Sequence, residues 1–402
     1  MSKRMVSVLL LFGCIALLSG CWNRRELNDI SVAVAMGLDK SGEEYIMSVQ
    51  MVNPSEVAAK VGGGKGAAVV TLTERGDTVF EALRRITTQT PRKLNLSHLR
   101  AVVFGEELSK EGIGKTLDFL SRDHETRTDF SILQAKGSTA EQILRVYTMP
   151  QEIIPANKIF KSLETSEEVW AATAKVTLDE LISNITNEGK QPVITGVVIT
   201  GAKESDQIET KENVEKIKPM ASIRITNLAV FKTDKLIGWL NEDESKGYNY
   251  IQNEVKSTVG HVSCPGGGKL SMEVIRSDTK MKGQMINGKP QIDIAVRLEQ
   301  NMGDVECAID LSKLETLNEL EKISEKAVKR NIEAVIHKAQ KIYKSDIFGF
   351  GEAIHRSSPK AWREMKKDWD KEFVNLQVHV KVDARIRRLG TISNSFQDKL
   401  KE

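Results

Sequence analysis

The chain has 402 residues, of which 58 are lysine or arginine and 55 are aspartate or glutamate, so its formal net charge is only +3. A near-neutral, mixed surface of this kind excludes the basic footprint that nucleic-acid-binding domains carry. The length is too great for one ordinary core and predicts two or three domains.

The first 20 residues have the pattern of a secretory signal peptide. Lys3 and Arg4 precede a nearly uninterrupted apolar run that is too short to span a bilayer core of about 30 Å. The run ends in Leu18-Ser19-Gly20-Cys21, and bacterial lipoprotein processing attaches diacylglycerol to a cysteine at this first mature position. Cys21 is therefore the predicted lipidation site, and its two acyl chains would anchor the protein stably where a single chain would be marginal. The alternative is an ordinary signal peptide, with Cys21 as a small residue beside the cleavage point.

Removal of the signal peptide changes the charge and the cysteine content. The loss of Lys3 and Arg4 lowers the formal charge from +3 to +1. No later stretch is apolar and long enough to span a membrane, so residues 22–402 are expected outside the cytoplasmic membrane, where ATP-fed chemistry is not expected. Cys264 and Cys307 remain, and they could form one disulfide in an oxidising exterior or stay unpaired.

Strand and helix patterns alternate over residues 21–150 and predict a mixed α/β domain. A β-hairpin is expected over 30–52, with further strands over 69–73, 99–104 and 130–135. Helices are expected after an N-cap at Asp77 and over 113–121. The glycine-rich segment 58–68 is expected to be a loop, and it departs from a phosphate-binding loop because Gly66 follows Lys65.

A middle domain is predicted over residues 151–260. Its first part is helical up to residue 185 and interrupted near Pro155, and a strand follows over 192–200. Residues 201–218 are charged and poor in large apolar side chains, which predicts a solvated excursion. A hairpin is expected over 228–239, turning at Thr233-Asp234-Lys235.

The C-terminal domain, residues 261–395, has the clearest periodicity. Strands are predicted over 270–276 and 291–299, a long helix over 311–345, and a strictly alternating strand over 376–386. A long helix packed on an antiparallel sheet satisfies both apolar faces. The predicted fold class is α+β and multidomain, with three mixed α/β domains.

The sequence offers no evident catalytic, metal or cofactor site. No Gly-x-Ser-x-Gly motif occurs, and no histidine has a neighbouring metal-ligand spacing among His98, His124, His261, His337, His355 and His379. The acidic residues Asp118, Asp123, Glu125 and Asp129 alternate with Arg122 and Arg127, which favours solvated ion pairs over an acid–base pair. Catalysis would require residues such as His98, His124 or Asp123 to converge in the fold.

An aromatic cluster follows the glycines that end the long helix. Its members are Phe348, Phe350, Trp362, Trp369 and Phe373. One interpretation is that the cluster fixes the end of the helix on the sheet. The other is that Phe348, Phe350, Trp362 and Trp369 form a partner-binding surface, because aromatic side chains anchor interfaces.

Both ends of the chain resemble the Ger(x)C family, the lipoprotein C subunits of nutrient germinant receptors in spore-forming bacteria. At the start, the resemblance lies in Cys21-Trp22-Asn23-Arg24-Arg25-Glu26-Leu27 and Val34-Ala-Met-Gly-Leu-Asp39. At the end, it lies in Asp346-Ile-Phe-Gly-Phe-Gly-Glu-Ala-Ile-His355, Trp362, Lys366-Lys-Asp-Trp-Asp370 and residues 378–388. It covers essentially the full chain.

The resemblance implies a location and partners. Members of the family lie on the outer face of the spore's inner membrane and work with a multi-spanning A subunit and a transporter-like B subunit. They have three mixed α/β domains and no attributed catalytic activity or cofactor. The chain is thus expected to be a membrane-tethered scaffold or coupling subunit, with nutrient binding on the transporter-like subunit. The alternatives are an extracellular solute-binding lipoprotein, with two similar lobes around a cleft, and an envelope hydrolase.

Overall fold

The structure is a computed structural model that describes residues 29–58, 66–148, 151–202, 206–264, 267–307 and 309–388. The predicted signal peptide, Cys21 and most of the glycine-rich loop lie outside these ranges. Within them the chain forms thirteen strands: β1 Ile30–Ser41, β2 Glu44–Val52, β3 Val69–Gly76, β4 Lys93–Asn95, β5 Ala101–Phe104, β6 Ser131–Ala135, β7 Val193–Gly201, β8 Ala221–Lys232, β9 Lys235–Trp239, β10 Thr258–Ser263, β11 Lys269–Ile286, β12 Lys289–Val305 and β13 Gln377–Arg388.

The same ranges contain twelve α-helices. They are α1 Pro54–Ala58, α2 Val79–Ile86, α3 Glu106–Glu111, α4 Gly114–Arg122, α5 Ala140–Arg145, α6 Pro155–Val169, α7 Leu178–Thr186, α8 Glu242–Gln252, α9 Leu314–His337, α10 Phe350–Ser357, α11 Pro359–Met365 and α12 Trp369–Asn375. A π-helical segment, Lys338–Tyr343, continues α9. None of the described helices combines the length and the apolar character that crossing a membrane would need.

The first sheet has nine strands in the order β3-β2-β1-β5-β6-β7-β8-β9, with β4 paired beside β1. Strands β1, β5, β6 and β7 run parallel, and the hairpin strands at both sides are antiparallel. Strands from both sides of residue 150 share this sheet. The domain boundaries at residues 150 and 260 therefore remain predictions that the sheet itself does not mark.

Both faces of the first sheet are covered. In β5, Val102 and Phe104 belong to one core cluster, whereas Ala101 and Val103 belong to the cluster on the opposite face. Helices α2, α4 and α7 contribute to the first cluster, and α5 and α6 contribute to the second. Because helices cover both faces, the central strands are continuously apolar rather than alternating.

Several helices and strands begin or end at other residues than the sequence predicts. The hairpin predicted over 228–239 turns where expected, between β8 and β9. Helix α2 is capped by Thr78 rather than Asp77, because the Thr78 hydroxyl accepts the Glu81 backbone N–H at 3.1 Å. The strand predicted over 270–276 extends to residue 286 and forms a long hairpin with β12.

The second sheet has four strands in the order β10-β11-β12-β13. Its first three strands are antiparallel, as predicted, but β13 runs parallel to β12. The reason is the long helix between them, since it returns the chain to the start of the sheet as a crossover connection. The helix itself begins at Leu314 rather than at residue 311, and its π-helical extension ends at Tyr343, before Lys344 with φ +49°.

Helix α9 also covers the outer edge of β13. Glu325 and Glu321 accept the backbone N–H groups of Ala384 and Ile386 at 3.1 and 2.9 Å. Near the other end of the strand, Gln340 donates to the Leu376 carbonyl at 2.9 Å. These side chains satisfy backbone groups that an exposed edge strand would present to other chains.

Candidate functional site: the Asp346 loop

Residues 345–351 connect the long helix to α10 and enclose the carboxylate of Asp346, which is 1% exposed. Three backbone N–H groups donate to its Oδ1, and one backbone and one indole N–H donate to its Oδ2. The donors are Phe348, Gly349, Phe350, Gly351 and the Nε1 of Trp369, at 2.8–3.2 Å. We call this arrangement the Asp346 cradle.

Two opposing effects act on the proton affinity of this carboxyl group. Burial is the larger one and raises the pKa of Asp346 to about 6, while the converging N–H groups act in the opposite direction. At neutral pH the group is therefore ionised, with its charge held by five donors. Since the carboxylate is enclosed, its role is to organise the loop.

The local sequence explains why the backbone can wrap around Asp346. Gly349 adopts φ +79°, a left-handed conformation that costs glycine little, and it precedes the first turn of α10. An aspartate also stabilises the exposed N–H groups at the start of that helix. The Asp-Ile-Phe-Gly-Phe-Gly sequence thus provides both the glycine that allows the turn and the carboxylate that the turn encloses.

The loop contributes to a core cluster that the two sheets share, because Phe348 and Phe350 belong to it together with Val193 of β7 and Ile292 of β12. The Asp346 carbonyl accepts the Gln191 backbone N–H at 2.7 Å, just before β7. Ser345 donates to the Phe231 carbonyl of β8 at 3.1 Å, and Gln252 of α8 donates to the Phe348 carbonyl at 3.0 Å. A change in the loop is therefore expected to alter the relative placement of the sheets.

The backbones of Gly189 and Gly351 also pass unusually close. A Cβ added to Gly351 would lie 2.6 Å from the Gly189 Cα, 2.7 Å from the Trp362 ring and 2.9 Å from the Trp369 Nε1. Only glycine leaves enough room for this approach.

The aromatic side chains pack around the cradle. The rings of Phe348 and Phe350 stack with centroids 4.8 Å apart, and Trp362 meets Trp369 edge-on at 5.2 Å. None of the four is more than 4% exposed. This burial corrects the interpretation of Phe348, Phe350, Trp362 and Trp369 as a partner-binding surface. The packing agrees with the alternative, in which the cluster fixes the end of the long helix on the sheet.

Of the residues weighed for catalysis, Asp123 and His124 are sequence neighbours that both line the cavity between α2 and α4, whereas His98 does not line it. Asp118 pairs with Arg122 at 2.8 Å, and Asp129 pairs with Arg127 at 2.8 Å, in the exposed arrangement that the sequence predicts. Within the described residues, no group of three or more histidine, cysteine or acidic side chains is arranged to hold a metal ion.

Among the cavities lined by described residues, two that are large enough for a small molecule lie outside the cradle. One of about 600 Å³ lies between the α7 region and α8, where Lys175, Lys190 and Lys256 face Glu167 and Glu254. The other, of about 380 Å³, lies between α2 and α4 and is more apolar. Neither contains the Asp346 cradle.

Comparison with known proteins identifies the family. A family model described as "Spore germination protein N-terminal domain" matches residues 23–199, and one described as "Spore germination B3/GerAC like, C-terminal" matches residues 226–390. The chain is 33% identical to Spore germination protein KC of Bacillus subtilis (strain 168), over 100% of this chain and 99% of that protein. This chain belongs to the GerAC-like family of spore germination proteins.

Other relatives share the full length of the chain. Spore germination protein B3 of Bacillus subtilis (strain 168) is 22% identical over 95% of this chain and 97% of its own length. The crystal structure of the GerBC protein superposes with a TM-score of 0.56, at 19% identity, over 87% of this chain and 96% of that structure. That likeness shows a common fold. The Asp346 cradle lies inside the matched C-terminal region.

The predicted cysteine sites have different outcomes. Cys21 lies outside the described residues, so its lipidation stays a prediction. Cys264 and Cys307 lie beside each other, with Cα atoms 6.2 Å apart, a separation that a disulfide can bridge. Cys264 lies just after β10 and Cys307 just after β12, and both belong to a small apolar cluster. Their pairing in the mature protein is tested below.

Sequence reasoning missed the role of Asp346, although it singled out the surrounding motif. An isolated aspartate gives no sign that five N–H groups will converge on it, because these depend on the loop conformation. The available signal was an acidic residue directly before a run with two alternating glycines. Such a pattern permits a tight turn around an anion.

Proposed function

We propose that this chain is a non-enzymatic lipoprotein subunit of a nutrient germinant receptor, required for spore germination. In this proposal, Cys21 holds it on the outer face of the spore's inner membrane, where it serves as a scaffold or coupling subunit for the A and B membrane subunits. The observation that carries the proposal is the end-to-end similarity to Spore germination protein KC.

The architecture supports a structural role. The loop that holds the Asp346 cradle makes hydrogen bonds to Gln191 before β7, to Phe231 of β8 and to Gln252 of α8. Its Phe348 and Phe350 belong to a core cluster that includes residues of both sheets. Its charged group and its aromatic side chains are enclosed. A residue set of this kind fixes the shape of a subunit rather than contacting a substrate.

The rival proposal of a solute-binding lipoprotein predicts two similar lobes around a ligand cleft. In the described part of the chain the two sheets have nine and four strands in different orders, so the lobes are dissimilar. The 600 Å³ cavity lies between helices of different parts of the chain, but it does not separate two equivalent lobes. The receptor-subunit proposal is therefore preferred.

The test is nutrient-triggered release of dipicolinic acid from spores with wild-type protein, a deletion or Cys21→Ala. Cys14→Ala is the matched control, because Cys14 leaves with the signal peptide, and a cationic surfactant serves as a receptor-independent trigger. We expect the deletion and Cys21→Ala to abolish one nutrient response and spare the surfactant response. A full set of normal nutrient responses in the deletion, with the other germinant receptors also removed, would contradict the proposal.

A further inference from the structure

The cavity between α2 and α4 combines an apolar lining with basic side chains. We call it the Phe80–Phe119 pocket, after two rings whose centroids lie 5.9 Å apart, and its volume is about 380 Å³. Leu83, Leu94 and Leu96 form the rest of its apolar lining. Phe80 is 49% exposed, so its ring is open to a ligand.

Two basic side chains of this pocket form no ion pair with a carboxylate of the described residues. The Arg84 guanidinium lies 4.7 Å from the centre of the Phe80 ring, and Lys115 projects from the start of α4. Arg84, Lys115 and the Phe80 ring therefore present an apolar surface beside two basic groups that are open to an anionic ligand.

Two of the three acidic side chains of the pocket are in ion pairs. Asp118 pairs with Arg122 at 2.8 Å, and Glu125 pairs with Lys93 at 2.5 Å. Asp123 accepts the Glu125 backbone N–H at 2.8 Å and keeps its negative charge. Four basic and three acidic side chains thus line the pocket, and its formal charge is +1.

The pocket adjoins the part of the chain that leads to the proposed anchor. Lys93, which lines the pocket, is the register partner of Ile30 in the pairing of β1 with β4. Ser31 also approaches Thr90, with hydroxyl oxygens 3.4 Å apart. Eight residues separate Ile30 from Cys21, and the nine Cα-to-Cα steps between them reach at most about 30 Å. If Cys21 is lipidated, the pocket lies within that reach of the membrane surface.

We propose that the Phe80–Phe119 pocket binds an anionic phospholipid of the membrane that holds the chain. The phosphate contacts Arg84 and Lys115, and the apolar part of the lipid contacts the phenylalanine rings. Aromatic and basic side chains together favour the interface between lipid and water. This inference rests on the proposed lipid anchor, and it adds a second, non-covalent membrane contact that would orient the subunit.

The test uses the mature chain with Cys21→Ser, so that binding is independent of the lipid anchor. Co-sedimentation is measured with vesicles of phosphatidylglycerol and phosphatidylcholine, and with vesicles of phosphatidylcholine alone. The variants are Arg84→Gln/Lys115→Gln and Phe80→Ala. The matched control is Arg224→Gln/Lys280→Gln, which removes one arginine and one lysine at exposed positions outside the pocket.

We expect binding to the anionic vesicles only, with the partition coefficient falling at least about tenfold in Arg84→Gln/Lys115→Gln. Phe80→Ala is expected to weaken it severalfold, and the control pair to leave it within about twofold. Equal losses in both charge-removal pairs, no binding to anionic vesicles, or displacement by millimolar inorganic phosphate at constant ionic strength would each overturn the proposal. Because the germination assay with Cys21→Ala does not depend on this pocket, the two proposals can fail separately.

Discussion

Trp369 donates its indole Nε1–H to the Oδ2 of Asp346 across 3.0 Å, and both side chains are buried. This bond joins α12 to the loop that ends the long helix. The same aspartate accepts four backbone N–H groups, and its own carbonyl binds Gln191 before β7. One residue thus connects the aromatic cluster, the turn and the first sheet.

Asp346→Ala is expected to destabilise the protein by about 3 kcal/mol at neutral pH, because the buried N–H groups of the cradle lose their acceptor. Urea unfolding measures the change in the free energy of unfolding. Asp278→Ala, at an exposed position of β11, is the matched control and should change that free energy by less than about 0.5 kcal/mol. Equal effects of the two substitutions would contradict the claim that the Asp346 cradle stabilises the fold.

The free energy of unfolding should depend on pH in a way that reflects the titration of Asp346. Burial raises its pKa from 3.8 to about 6, so between these values the folded chain binds more protons at this site than the unfolded chain. Its contribution to the free energy of unfolding is therefore greatest below pH 3.8 and falls as the pH rises to about 6.

The measurement is the free energy of unfolding of the wild type minus that of Asp346→Asn, followed across this pH range. The subtraction removes the contributions of carboxyl groups that both proteins share. We expect the difference to shrink as the pH rises. A difference that grows instead would mean that the five N–H donors outweigh burial and hold the pKa below its ordinary value.

Gly351→Ala should lower the free energy of unfolding by about 2–3 kcal/mol, because its methyl group would overlap Gly189 and the Trp362 ring. Thermal unfolding followed by tryptophan fluorescence reports the effect. Gly260→Ala is a matched control, since a Cβ there meets no atom within 4 Å. The steric argument fails if both alanine variants unfold at the wild-type temperature.

Cys264 and Cys307 are expected to form a disulfide in the mature protein. In the Cys21→Ser form, after loss of Cys14, titration under denaturing conditions should then find no free thiol. Across a separation of 43 residues, loop closure predicts that reduction destabilises the chain by about 4 kcal/mol. Two free thiols in the oxidised protein would disprove the pairing.

The sequence predicted most elements whose apolar pattern is regular. The long helix and the alternating strand β13 were placed within a few residues. The β11–β12 hairpin was missed in its full length, although Asn287-Gly288, with φ +49° and +75°, is a strong two-residue turn sequence. The parallel pairing of β13 could not be predicted from its pattern, because alternation fixes a face and not a strand direction.

The site was harder to predict because its parts are distant in the sequence. The aromatic cluster was identified, but the pattern alone did not decide between a buried cluster and an exposed surface. Burial of Trp362 and Trp369 depends on the approach of Gly189 to Gly351, a contact between residues more than 150 positions apart. Such a contact leaves no local periodicity.

The most direct test of the central claim exchanges the membrane anchor. A chain in which a single membrane-spanning helix replaces residues 1–28 is expressed in spores that lack the wild-type protein, beside Cys21→Ala. If the chain acts as a membrane-tethered subunit, the exchanged anchor should restore the nutrient-triggered release of dipicolinic acid that Cys21→Ala loses. A wild-type response from Cys21→Ala spores, with the protein at its normal level, would contradict the account.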